Sequence, residues 1–116
     1  MGKAILAFLP DEERNRVLAE SELERRGPNT LTNLAALRKD LARARERGLA
    51  LNDEELAYGL RSIAAPVGSH GSGAAAAINI AVHRSMVSME DLVERLGPSL
   101  EATATQISAR IGHRPA

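Results

Sequence analysis

The stretch from Leu60 to His83, LRSIAAPVGSHGSGAAAAINIAVH, leaves a chain of this kind few ways to fold. Two runs rich in Ile, Val and Ala flank Gly68-Ser69-His70-Gly71-Ser72-Gly73, whose glycines supply the positive-φ positions that a strand reversal requires. The pattern predicts a β-hairpin with its turn centred near His70-Gly71. That centre pairs Leu60 with Ala81, Ser62 with Asn79, Ile63 with Ile78 and Val67 with Ala74. Alternation along the strands then sorts the side chains. One face carries Ile63, Ala65, Val67, Ile78, Ile80 and Val82, the composition of a core face. The other carries Leu60, Ser62, Ala64, Ala77, Asn79, Ala81 and His83, small side chains with polar groups set among them.

Two readings of the second face follow from its chemistry. Small side chains leave space, and a buried hydroxyl or amide needs a hydrogen-bond partner, so the face suits the floor of a cavity whose occupant satisfies those groups. Small residues in a strand equally let a helix pack closely, with Ser and Asn satisfied by backbone or water.

The hairpin sits in a chain of 116 residues, enough for one domain and one core. Apolar residues make up 44% and charged residues 26%, which excludes both a disordered and a membrane-embedded composition. Aromatic content is only 2%, with Phe8 and Tyr58 the two examples, so the core is built from Leu, Ile, Val and Ala and there are few platforms for stacking bases. Fifteen basic residues balance 15 acidic ones, so no net field draws this chain onto a polyanion. The absence of cysteine removes disulfide and thiol chemistry and fits an intracellular protein.

Ala4 through Leu9 is an apolar run too short to span a membrane and without a signal-peptide cleavage site. It predicts a short helix buried on every side. Pro10-Asp11-Glu12-Glu13 starts a second helix, with proline near its first turn, carboxylates at its positive end, and Val17, Leu18 and Leu23 facing inward. Thr32 or Asn33 caps a third, which runs with Leu34, Leu37 and Leu41 at helical spacing until Gly48 stops it. Its basic face of Arg38, Lys39, Arg43, Arg45 and Arg47 is interrupted by Asp40 and Glu46 and has no base-reading companion, which favours a solvated face over a nucleic-acid one. Leu49-Ala50-Leu51 is a short strand leading to Asn52-Asp53-Glu54-Glu55. Ser88-Met89-Glu90-Asp91 is a capping box opening a last helix with the stripe Leu92, Val93, Leu96, Leu100, Ala104, Ile107 and Ile111. Gly97-Pro98 is expected to kink or split that helix.

Catalytic machinery is not evident. Ser62, His83 and Asp53 are the residue types of a triad, but no Gly-x-Ser-x-Gly elbow exposes the serine. The glycine-rich turn lacks the Lys-Ser/Thr ending of a phosphate-binding loop. His70, His83 and His113 are widely spaced, with no second ligand nearby in sequence to make a metal site. No enzyme activity, cofactor or metal is expected.

Gly2 through Ala7, Leu37 through Gly48, Asp53-Glu54-Glu55 with Gly59 through Val67, and Ala77 through Ile80 resemble, in order and spacing, the effector-binding domain of IclR-type bacterial transcription regulators. The resemblance runs through nearly the whole chain. Ile78 through His83 and the following Val87-Ser88 are similar to the branch that regulates aromatic-acid catabolism by the β-ketoadipate pathway, which would make the effector a small carboxylate such as protocatechuate, 4-hydroxybenzoate or β-ketoadipate.

The implied fold is α+β, a curved antiparallel sheet flanked by helices as in GAF- or profilin-like sensors, with a small-acid pocket on one face. The family's pocket-lining positions fall on Asn52, Leu60, Ser62, Asn79 and Ala81, four of them on the face already marked as a candidate floor. Ser62 and Asn79 would donate hydrogen bonds to a ligand carboxylate or hydroxyl, Leu60 and Ala81 would pack against its body, and His83 is a further candidate contact. Asn52 and Ala81 stand where the family's small-acid sensors can have an aspartate and a hydroxyl residue, which suggests a less polar ligand. The resemblance also implies a cytoplasmic homodimer or tetramer that reaches DNA through a winged helix-turn-helix. Residues 1–116 are expected to be a partial effector-binding domain, without that DNA-binding domain and without the domain's first strands. An oligomerisation module that binds no ligand is the first alternative, and a small enzyme resting on Ser62, His83 and Asp53 the second.

Overall fold

The computed structural model describes residues 2–69 and 73–112. Helix α1 (Gly2–Ala7) and helix α2 (Asp11–Glu20) are followed by α3 (Leu34–Arg47), strands β1 (Ala50–Asp53), β2 (Leu60–Ser69) and β3 (Gly73–His83), a single helical turn α4 (Met89–Asp91), a π-helical turn (Leu92–Leu96) and helix α5 (Gly97–Gly112). The strands form one antiparallel sheet in the order β1-β2-β3.

The helix ends follow from their sequences. Asn33 caps α3, its side chain accepting hydrogen bonds from the backbone N–H groups of Ala35 (2.8 Å) and Ala36 (3.2 Å). Gly48 ends the helix at φ 84°, a left-handed conformation that glycine takes without a Cβ penalty. Ser88 Oγ accepts from Asp91 N at 3.1 Å and opens the last helical segment. Gly97-Pro98 does not break that segment. Proline cannot donate to the carbonyl four residues back, and the chain continues through the widened π-helical turn that precedes it. Gly97 is buried beside Leu49, where an added Cβ would lie 3.0 Å from the Leu49 Cδ1.

The hairpin forms, but in a register two residues from the expected one. Leu60 pairs with His83, Ser62 with Ala81, Ile63 with Ile80, Ala64 with Asn79 and Val67 with Ala76. A bulge between Val67 and Gly68 then shifts the ladder, so Gly68 pairs with Ala74 and Ser69 with Gly73. The expected turn centre at His70-Gly71 lies outside the described residues, as does His113. Because the displacement is by an even number, every side chain keeps the face that alternation assigned to it.

Two apolar clusters lie on opposite faces of the sheet. On one, Ile63, Ala65 and Val67 pack with Leu49, Leu92, Leu100 and Ala104, and Ile78, Ile80 and Val82 join from β3. On the other, Ala50 and Ala64 pack with Ala4 and Ala7 of α1 and with Leu37, Leu41 and Ala44 of α3. Sheet and helices thus form three layers, with α1 and α3 on the small face and α5 on the aliphatic one. Some expected inward positions are exposed instead. Val17, Leu34, Leu96 and Ile111 lie at the edges of their stripes, and Leu23 packs on the core from beyond the end of α2. Helix α1 is buried through Ala4 and Ala7, while Ile5 and Leu6 are only half-buried.

Gly27 shows how tightly the segment before α3 sits on the β1–β2 connection. An added Cβ there would lie 2.4 Å from the Glu54 carbonyl oxygen and 2.9 Å from the Ala57 nitrogen, backbone atoms with no rotamer to move. Gly27→Ala is therefore expected to lower unfolding free energy by about 1–3 kcal/mol, read from the shift in a urea denaturation midpoint at unchanged slope.

Candidate functional site

The small face of the sheet has two halves. At one end Ala50 and Ala64 lie under α1 and α3, with Ala77 of β3 packed alongside, so close helix packing accounts for the small residues there. At the other end the register aligns Asn52, Ser62 and Ala81 in one row across all three strands, with Leu60 opposite His83 beside it and Asn79 beside Ala81 on the α1 side. The six residues singled out from the sequence thus share one continuous surface.

That surface slopes from buried to open. Ser62, on the central strand, is 6% exposed, Asn52 and Leu60 are half-buried, and Asn79, Ala81 and His83 on β3 are exposed. The polar groups of the floor are mostly unspent among the described residues. Ser62 Oγ and the Asn79 amide have no side-chain hydrogen bond there. Asn52 Oδ1 accepts from Glu55 N at 3.2 Å, which leaves its amide N–H groups as donors. His83 Nδ1 accepts from Ser85 N at 3.1 Å and lies 2.8 Å from Ser85 Oγ, so in the neutral ring the proton sits on Nε2. The ring lies against Gly59, where a Cβ would come within 2.8 Å of Nε2, and Gly59 itself is at φ 80°. The floor therefore offers uncharged donors beside apolar surface from Leu60 and Ala81. Uncharged donors of this kind suit a carboxylate or hydroxyl acceptor.

The Ser62, His83 and Asp53 grouping is not assembled as a catalytic relay. Asp53 lies on the aliphatic face and pairs with Arg61 Nε at 2.7 Å, and His83 is engaged with Ser85.

Ion pairs that were not foreseen as site elements hold the β1–β2 connection at the end of the floor. Glu54, at φ 58° and 7% exposed, accepts from Gly59 N (3.2 Å) and from Arg84 Nη1 (3.0 Å) through the same Oε1. Arg84 closes the arrangement with its backbone N–H on the Gly59 carbonyl at 2.8 Å and its guanidinium 5.6 Å from the Tyr58 ring centroid. The hydrogen bond and charge of Glu54, with a smaller contribution from Tyr58, raise the guanidinium above its already high pKa. Lys3 ties α1 to the same region. Its ammonium donates to the Leu51 carbonyl at 2.9 Å and pairs with Asp40 at 2.6 Å and with Glu55. On the outer side, Asn29 donates to the Glu54 and Asp53 carbonyls, and Thr30 Oγ1 donates to that of Glu55. Lys3 and Glu54 stood inside motifs visible in the sequence, but nothing in the spacing marked their partners, Asp40 and Arg84.

With the fold and the floor described, the chain can be placed among known proteins. It matches the family described as bacterial transcriptional regulator IclR C-terminal over residues 1–109. Among curated relatives, it is 38% identical over 109 residues to the HTH-type transcriptional regulator BhcR of Paracoccus denitrificans, covering 94% of this chain and 34% of the relative. It is 34% identical over 114 residues to the HTH-type transcriptional repressor AllR of Salmonella typhi, covering 98% and 42%. Among solved structures, IclR of Thermotoga maritima superposes with TM-score 0.90 at 32% identity, covering 97% of this chain and 45% of that one. The inducer-binding domain of PobR from Acinetobacter, solved as a double mutant in complex with 3-hydroxybenzoic acid, gives 0.82 at 27% identity, covering 92% and 61%. The protein is a member of the IclR C-terminal domain family, a family of transcription regulators rather than enzymes. The chain spans less than half the length of these two curated relatives.

Removing the carboxylate charge tests the hub. Glu54→Gln keeps the shape and an acceptor oxygen but gives up the charge that holds Arg84, and is expected to lower the chemical denaturation midpoint. Arg84→Lys, which keeps a charge without the planar fork, is expected to recover only part of the native value.

Proposed function

We propose that this domain senses a small carboxylic acid, aromatic in the finer reading, on the Asn52-Ser62-Ala81 row of its sheet, and that the bound acid alters DNA binding elsewhere in the parent regulator. The observation that carries the reading is the set of unspent uncharged donors beside apolar surface, with Ser62 nearly buried and yet without a hydrogen-bond partner among the described residues. A carboxylate supplies acceptors for Ser62, Asn79 and Asn52, and an aromatic body suits the contact surface of Leu60 and Ala81. His83, with its proton on Nε2, is a further contact at the open end. The likeness to a benzoate-bound inducer domain supports an aromatic acid. Catabolism of aromatic acids by the β-ketoadipate pathway is the corresponding physiological setting, with the regulator acting in the cytoplasm as a homodimer or tetramer. Control of DNA binding follows if the two states of the parent protein differ in their affinity for the acid, since a ligand moves an equilibrium only by that difference.

A second reading, an oligomerisation module without ligand, draws on the exposed apolar residues Leu56, Tyr58 and Met86. The two are separable by what stabilises the chain.

A thermal-shift titration with protocatechuate, 4-hydroxybenzoate, β-ketoadipate, pyruvate and glyoxylate tests the proposal. One acid is expected to stabilise the chain saturably, by about 2.7 kcal/mol at a hundredfold excess over Kd, and Ser62→Leu and Asn79→Leu are each expected to abolish the shift. A melting temperature that rises with protein concentration and responds to no acid would favour the oligomerisation reading instead.

A further inference from the structure

We propose that the cleft between α1, α2 and α3 is a second ligand site, built for a compact anion bearing two carboxylate or phosphate groups. It encloses about 320 Å³, within the range of small-molecule sites. Three arginines line it, Arg14 of α2 and Arg38 and Arg45 of α3. Its floor is apolar, formed by Ala7, Leu41 and Ala42. Asp11 is the one acidic residue in the lining, so the cleft carries an excess of positive charge although the chain as a whole is neutral.

Asp11 shows what the cleft binds. Its Oδ1 lies 2.5 Å from Arg14 Nη2 and 3.8 Å from Arg45 Nη1, so one carboxylate already bridges two of the arginines. That carboxylate is 78% exposed, at the first turn of α2, where it can swing out into water and yield its place. Two of the guanidiniums, those of Arg14 and Arg38, are also held by groups other than Asp11. Arg14 Nη1 donates to the Leu9 carbonyl at 3.3 Å, and Arg38 Nη1 donates to Asn15 Oδ1 at 2.7 Å. Each guanidinium carries more donors than these bonds use, arranged in a planar fork that matches the oxygens of a carboxylate or phosphate. Two such groups on one compact ligand would neutralise the excess charge, and a short carbon body would cover Leu41 and Ala42. The site is separate from the sheet face. Helix α1 stands between them, with Ala7 in the lining of the cleft and also in the cluster that packs on Ala64.

Calorimetric titration of the chain with pyrophosphate and with succinate, at ionic strength held constant with chloride, tests the site and separates phosphate from dicarboxylate chemistry. At least one anion is expected to bind saturably at one site. Joint Arg38→Ala and Arg45→Ala substitution is expected to weaken it by about tenfold or more. Arg43→Ala, a charge removed from the same helix outside the lining, and Ser62→Leu on the sheet face are expected to leave it unchanged. Asp11→Asn, which removes the competing carboxylate, is expected to tighten it. Binding by neither anion, an equal loss in Arg43→Ala, or no gain in Asp11→Asn would overturn the proposal.

Discussion

The ladder between β2 and β3 fixes which residues face α5 and which face α1, and both cores and the candidate site depend on that division. Ile63, Ala65 and Val67 reach the aliphatic cluster, and Ser62 and Ala64 the opposite face, because side chains alternate along a strand. A slip of one residue would exchange the two sets, turning Ser62 toward Leu92 and Leu100 and presenting Ile63 to the open floor. The apolar burial on the α5 side opposes such a slip strongly. A slip of two leaves the division untouched, which is why the observed register, two residues from the expected one between Leu60 and Val67, keeps every side chain there on its assigned face, and the one-residue bulge enters only after Val67.

On this frame the small face is divided between packing and exposure. Ala50 and Ala64 have no side chain beyond Cβ, so α1 approaches closely there with its own alanines, Ala4 and Ala7. Lys3 fixes how far α1 extends, since its ammonium is held at once by Asp40 of α3, Glu55 and the Leu51 carbonyl. The floor beyond that limit stays uncovered by α1. Its far end is set by the Glu54–Arg84 pair, which joins the β1–β2 connection to the residue after β3 and so keeps His83 against Gly59. The ion pairs of Lys3 and Arg84 thus border a floor whose polar groups Asn52, Ser62 and Asn79 are uncharged.

The sequence carried the parts of this arrangement that are periodic or local. Strand alternation found the floor face, and the capping residues Asn33, Gly48 and Ser88 stand at the helix ends that their chemistry implied. The pairing register was not legible, because it depends on how many residues the turn and bulge consume, and Gly68 through Gly73 permits several answers. Gly97-Pro98 marked the place where the helix changes character, but the π-helical form of the turn before it leaves no mark in residue type. At the site, Asn52, Ser62 and Ala81 came from resemblance joined to alternation, and the structure aligns them in one row. The ion-pair roles of Lys3 and Glu54 were not legible because their partners Asp40 and Arg84 lie far along the chain, and charge pairs of that range have no spacing signature.

The most direct test of the sheet-face assignment is a nuclear magnetic resonance titration of the isotopically labelled chain with protocatechuate and with pyruvate, following backbone amides and alanine methyls. Saturable changes are expected for one of the acids, centred on Ser62, Asn79 and Ala81 and falling away toward Ile63 and Leu100 behind the sheet. Changes centred on the α5 face, or saturation by neither acid, would contradict that assignment.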